Sequence, residues 1–138
     1  MAGKFLIKEL TDKDVEVLEE KLDTYDREHV TYKLNGEVSI GIKDGDKLIA
    51  GAYGCMTDFK ILYVETVYVD EEYRRQGVGK RLIEEVERRA RGLQANIIRL
   101  DTYNWQGRDF YKAIGFEEVG SYESKEDGFS EHFFLKRL

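Results

Sequence analysis

Cysteine is almost missing from this chain of 138 residues. Cys55 is the single one, so no internal disulfide can form. It reads as a small core residue near the end of a strand, since no partnering base lies near it in sequence. Histidine is scarce too. His29 and His132 are scattered, and two histidines with one cysteine do not make a metal site. Long apolar runs are lacking: no stretch approaches the roughly 20 residues of a membrane span. The opening Met-Ala-Gly-Lys-Phe-Leu-Ile-Lys has no long apolar core of the signal-peptide kind. These absences predict a cytoplasmic protein with no membrane partner. Basic residues are outnumbered, with 22 Lys and Arg against 28 Asp and Glu, a net charge of −6. That balance argues against general nucleic-acid binding. It would suit a cationic substrate such as an amine, although many soluble cytosolic proteins are acidic.

What is present points to one folded domain over residues 1–138. Repeats, linkers and low-complexity stretches are absent, and the length suffices to bury a core. Hydrophobic residues at 41% and aromatic residues at 12% exclude a disordered chain.

Phe5 and Ile7 alternate with Leu6 and Lys8, which predicts a first strand. Thr11-x-x-Asp14 is a capping-box signal, and Val15, Leu18 and Leu22 form the apolar stripe of the helix behind it. Val38, Ile40 and Ile42 alternate with polar or small residues, Asp44-Gly45 is a hairpin turn, and Leu48 to Met56 is the return strand. Ile61 to Val69 is apolar on both faces, as a central strand would be. Val78, Leu82, Ile83, Val86 and Ala90 make a helical stripe that Gly92 closes. Ile97 to Tyr103 is a strand, parallel to Ile61–Val69 if the helix between them is a right-handed crossover. Arg108 to Ile114 is a short helix, and 119–123 and 132–138 are closing strands.

The most informative stretch is Arg74-Arg75-Gln76-Gly77-Val78-Gly79, between the central strand and the helix. Glycines let the backbone turn tightly and approach a ligand. The helix start offers unpaired N–H groups and a positive dipole end, a combination that binds phosphate. Lys80 and Arg81 add charge. A Walker loop would need Ser or Thr where Arg81 stands, and a dinucleotide fingerprint would need glycine at Leu82.

What remains, Arg-x-x-Gly-x-Gly between strand and helix, resembles the acetyl-CoA pyrophosphate loop of the GCN5-related N-acetyltransferases, the GNAT family. Asn104, Phe110-Tyr111 and Gly115-Phe116 resemble the family's second motif, with Gly107 where the family usually has Ala. Glycine costs about 1 kcal/mol of helix stability, so this helix should start late or fray. The resemblance implies an α/β (α+β) fold, a mixed central sheet flanked by helices. It implies acetyl-CoA as cosubstrate and no metal. The cofactor would contact the strand end Val67, Tyr68 and Val69, the loop and helix start Arg74, Arg75, Gln76, Gly77, Val78, Gly79, Lys80 and Arg81, and then Asn104, Phe110 and Tyr111. Asn104 could hydrogen-bond the pantetheine arm or cap the helix.

Tyr111 stands where the family keeps the tyrosine that protonates the departing thiolate. A phenol near pKa ~10 carries its proton at neutral pH. The alternative is a ring packed on the sheet. Glu65 is the candidate general base, because a carboxylate inside an apolar strand needs a reason, and burial would make it more basic. The alternative is a carboxylate paired at the sheet surface. His132 is the rival base, set against a strand-end or surface histidine. His29 reads as surface. Trp105 and Gln106 follow Asn104 where a substrate or acyl group could lie, and the acidic and aromatic Tyr25, Asp26, Glu28 and Tyr32 could meet an ammonium group or form a solvated helix end. The reading is acetyl transfer to a primary amine of a small molecule by direct transfer. Alternatives are a peptide or protein N-acetyltransferase and a non-catalytic CoA-binding module. Pairing of the closing strands between subunits would give a homodimer.

Overall fold

The computed structural model describes residues 5–138. The chain divides into two compact units, one ending at Tyr32 and the other running Lys33–Leu138.

The first unit holds helix α1, Asp12–Arg27. Its start is the capping box expected from sequence. The Thr11 hydroxyl accepts from the Asp14 N–H, and the Asp14 carboxylate accepts from the Thr11 N–H, both at 3.1 Å. The expected first strand is not formed, and residues 5–11 are irregular. Alternation sets which side of a strand is apolar, but a strand exists only where a neighbour completes its ladder.

The second unit is a six-stranded sheet in the order β1-β2-β3-β4-β6-β5. Its strands are β1 (Glu37–Asp44), β2 (Lys47–Met56), β3 (Ile61–Val69), β4 (Ile97–Tyr103), β5 (Glu117–Ser124) and β6 (Phe129–Arg137). Gly45, at φ 63°, turns β1 into β2. Helix α2 (Val78–Gly92) crosses from β3 to its parallel neighbour β4, and α3 (Arg108–Ala113) links β4 to β5. The core includes Leu62, Val64, Leu82, Val86, Ile98, Leu100 and Phe134, all buried. Burying one such large side chain contributes ~1.5–3 kcal/mol. Gly92 is the last helical residue rather than the cap. Gln94 takes the left-handed conformation instead, at φ 70°, and its N–H bonds the Arg91 carbonyl.

Two irregularities in β3 shape the site. The first is a bulge. Tyr53 of β2 faces Thr66 and Gly54 faces Val64, so Glu65 has no partner. The strand therefore changes phase there: Leu62 and Val64 point to the core before it, and Val67 and Val69 pack on the core after it. That phase change is why the run reads as apolar on both faces. Gly54 allows the bulge, since a Cβ there would lie 2.7 Å from the Tyr63 carbonyl oxygen. The second is a splay. β3 and β4 pair only through Ile61–Ile97, Leu62–Ile98 and Tyr63–Arg99. β3 still pairs β2 as far as Val69, and β4 still pairs β6 as far as Tyr103. Both strands thus stay paired on their outer edges while their facing edges part.

Candidate active site

The wedge between β3 and β4 leaves backbone N–H and C=O groups from Val64 to Val69 unladdered on one side. Such groups need partners. An extended ligand entering the wedge would supply them in the manner of an added strand. Val67 and Val69 are half-buried along that edge, and Tyr68 is exposed.

At the open end of the wedge the chain makes a short 3-10 turn, Glu71–Tyr73, and enters the glycine loop. Arg74 folds back, its Nε donating to the Val69 carbonyl at 2.8 Å and its guanidinium lying 5.4 Å from the Tyr68 ring centre. Gln76 donates to the Glu72 carbonyl. Arg75 at φ 62° and Gly77 at φ 77° are both left-handed, so the chain turns sharply into the helix start. Gly77 is the N-cap of α2 and offers no capping side chain, and the first turn holds no acidic residue. The leading N–H groups and the positive helix end are therefore free to meet an anion. The space around Gly77 is open, whereas a Cβ on Gly79 would lie 3.2 Å from Phe110 Cζ. Gly79 and half-buried Val78 thus bring the helix start against the Phe110 ring, and Phe110 is a wall joining α2 to α3. Lys80 and Arg81 are exposed, and Arg81 lines a groove along α2 with Ile40, Ile42 and Glu84.

Tyr111 is 7% exposed and packs against Phe110, Phe116 and Phe134. Burial pushes its hydroxyl up to about 12. Among the described residues that hydroxyl has no hydrogen-bond partner. Gly107 is explained here. A Cβ at that position would sit 2.9 Å from Tyr111 Cε2. As expected, α3 starts late, at Arg108.

Asn104 does not cap α3; the Thr102 hydroxyl accepts from the Gly107 N–H instead. The Asn104 carbonyl oxygen accepts from the Ser130 N–H at 2.8 Å and its own N–H bonds the Ser130 carbonyl, so it ties the end of β4 to β6. Its amide nitrogen is left over. Gln106 is likewise engaged, accepting from the Tyr103 N–H and the Thr102 hydroxyl. Trp105 is exposed and stacks on Tyr103 at 4.6 Å, with Phe129 edge-on to both. Tyr25 and Asp26 lie on α1 and Glu28 caps it. His29 is exposed, beside the Tyr25 ring.

Three expectations are corrected. Glu65 is exposed, not buried, because the bulge throws it out of the alternation. The burial argument for its basicity therefore lapses. His132 is neither a surface nor a strand-end residue. It is 4% exposed in mid-β6, with Nδ1 hydrogen-bonded to Glu118 Oε1 and Nε2 2.7 Å from Ser130 Oγ. Cys55 is half-buried in β2, opposite Tyr63 of β3, rather than in the core. Ser130 and Glu118 were not singled out from sequence. Ser130-x-His132 puts both side chains on one face of a strand. Glu118 comes from another strand, and nothing local announces it.

No helix among the described residues is long and apolar enough to cross a membrane. The sequence profile of the Acetyltransferase (GNAT) family matches residues 4–116. The crystal structure of an acetyltransferase from Bacillus cereus superposes with a TM-score of 0.86 at 32% identity, covering 98% of this chain and 99% of that one. A GNAT family acetyltransferase from Elizabethkingia anophelis with acetyl-CoA bound shares the fold, with a TM-score of 0.62 at 16% identity over 97% of this chain and 95% of that one. The thialysine N-epsilon-acetyltransferase of Bos taurus is 37% identical over 60 residues, 42% of this chain and 35% of that protein's length. A matching family profile, a split sheet and a glycine-loop helix start together place this chain in the GNAT family of N-acetyltransferases.

Proposed function

We propose that the protein transfers the acetyl group of acetyl-CoA directly to a primary amine of a small molecule. The observation that carries this reading is the wedge between β3 and β4, opening onto the uncapped start of α2. The strand edge at Val67, Tyr68 and Val69, outside the β3–β4 ladder, suits the amide groups of a pantetheine arm. The loop 74–79 and the N–H groups of α2 suit its pyrophosphate, with Lys80 and Arg81 adding charge. Phe110 walls the slot, and the amide nitrogen of Asn104 is available to it.

Tyr111, protonated at neutral pH, would supply the proton that the departing sulfur needs. Glu65, exposed on the bulge and without an ion-pair partner among the described residues, would draw in an ammonium group and take its proton directly or through water. A small acceptor is favoured because the bovine relative is named for thialysine. Thiol release from acetyl-CoA across a panel of amines tests the reading. Small amines should support turnover that peptides do not. Release with peptides alone would move the acceptor to the protein class, and binding without release would leave a CoA-binding module. In the active case Glu65→Gln should lower turnover at neutral pH and recover in part at high pH, where the amine is already free. An unchanged pH profile would remove Glu65 from the reaction.

A further inference from the structure

A hydrogen-bonded chain of three side chains lies on β5 and β6 and includes neither Tyr111 nor Glu65. Ser130 Oγ is 2.7 Å from His132 Nε2, and His132 Nδ1 meets Glu118 Oε1. The acceptor-only carboxylate of Glu118 fixes the tautomer: Nδ1 carries the proton and donates it. Nε2 is then the acceptor, and the Ser130 O–H must point at it. Glu118 is itself held by Arg108 Nε at 3.3 Å and Lys112 Nζ at 3.5 Å, both from α3. Burial works to raise the Glu118 carboxyl, but the His132 hydrogen bond and these two cations outweigh it and hold it below its ordinary value. The group that orients the imidazole is therefore ionised at neutral pH.

Satisfying a buried histidine requires only a donor and an acceptor. The setting of Ser130 goes beyond that. Ser130 is half-buried and lines a cavity of about 320 Å³ with Asn104, Glu123, Lys125, Gly128 and Phe129. The residue whose hydroxyl meets the buried base thus also borders an open cavity. Two cavity-lining groups are donors without partners among the described residues. One is the Asn104 amide nitrogen, next to the oxygen that grips the Ser130 N–H. The other is the Lys125 ammonium, which forms no ion pair. A hydroxyl on an oriented imidazole, with free donors across a cavity, is the arrangement of acyl transfer through a covalent intermediate. The carboxylate of Glu123 is the one lining group that would oppose charge on an oxygen there.

We propose that Ser130 is an acyl-accepting nucleophile, served by His132 as base and Glu118 as the residue that orients it, and that it takes short acyl groups from activated esters. Ser130 Oγ forms a bond to the ester carbonyl carbon while its proton passes to His132 Nε2. The bond to the leaving oxygen breaks, and that oxygen leaves as the alcohol with the proton from His132. A water molecule repeats the sequence on acyl-Ser130 and releases the acid, restoring the hydroxyl. Nothing in these steps uses acetyl-CoA or an amine, so the activity is measured without either, although the Asn104 amide nitrogen is a donor that the pantetheine slot would share.

The test uses the full chain with two probes, p-nitrophenyl acetate and diisopropyl fluorophosphate. Wild type should release a burst of p-nitrophenol and take up one diisopropylphosphoryl group, located by peptide mass spectrometry on Ser130. Ser130→Ala should abolish both while staying folded and keeping its acetyl-CoA binding. Glu118→Gln should slow labelling by roughly 10-fold to 1,000-fold, the scale of a lost base or its orienting partner. Urea-unfolded protein should not be labelled at Ser130. Labelling that persists in Ser130→Ala, labelling of Ser130 that survives unfolding, or wild type that stays unmodified would each overturn the proposal. Should Glu118→Gln fail to fold, the comparison of wild type with Ser130→Ala decides the matter alone.

Discussion

Tyr111 and Gly107 show how tightly single residues are coupled here. The phenol is buried among Phe110, Phe116 and Phe134, so its ring cannot move far, and its hydroxyl is raised to about 12 by burial. A donor raised this far keeps its proton well above the usual tyrosine range. Turnover should therefore show no alkaline fall near pH ~10 from loss of this proton. Tyr111→Phe should lower the single-turnover rate by roughly 10-fold to 1,000-fold, with acetyl-CoA affinity little changed. An equal rate returns Tyr111 to packing alone. Gly107→Ala tests the same ring from below. The added methyl would stand 2.9 Å from Tyr111 Cε2, on a ring already packed against Phe110, Phe116 and Phe134. Overpacking of this kind costs ~1–3 kcal/mol. Denaturant unfolding should show that loss and turnover should fall with it, although alanine is the better helix former. A more stable Gly107→Ala protein would show that the ring relaxes freely.

The elements that sequence predicted well are those whose signal is local. The capping box at Thr11 and Asp14, the hairpin at Gly45, and the spans of β3, α2 and β4 follow from spacing and turn chemistry. The glycine loop was legible as a tight turn because its glycines stand between a β-prone run and a helical stripe, and Gly77 is left-handed there. What was not legible depends on partners distant in sequence. The missing first strand lacked a ladder, Glu65 was moved outward by the register of β2, and His132 found Glu118 on a neighbouring strand. The splay of β3 from β4 leaves no mark in the periodicity of either strand. The loop makes its own prediction. Gly77 stands in open space, so a side chain there meets no core atom. Gly77→Val should pay for left-handed backbone strain, ~1–3 kcal/mol. Its larger effect should be on acetyl-CoA affinity, since the methyl groups would crowd the N–H cradle. Calorimetry that finds wild-type affinity in a folded Gly77→Val protein would sink the assignment of this loop to pyrophosphate.

At the scale of the whole molecule, the surplus of acid raises the question of what holds the fold as pH falls. Two carboxylates answer it in different ways. Glu85 is lowered to about 2 by hydrogen bonds from Arg88 and Arg89 on its own helix. Glu118 is lowered as well, through contacts that join β5 to β6 and α3. For both, the folded value lies below the ordinary 4.5 that an unfolded chain would show. The unfolded state then binds more protons over that interval, so stability is fully present above about 4.5 and is lost as pH falls through the folded values. The two should nevertheless behave differently when replaced. The side chain of Glu85 is 35% exposed, and its pairs lie within one helix, where water and salt screen them. Glu85→Gln should change stability little at neutral pH and flatten the acid limb slightly. Glu118→Gln leaves buried His132 without the carboxylate that takes its Nδ1 proton, and frees Arg108 and Lys112 from their shared partner. It should lower stability at neutral pH as well as at acid pH. Urea unfolding of the two variants and wild type between pH 3 and pH 8 checks this. If Glu118→Gln were as stable as wild type at neutral pH, the chain from Ser130 to Glu118 would add nothing to the fold. If Glu85→Gln were the more damaging variant, the acid limb would belong to the helix surface and not to the junction of α3 with the sheet.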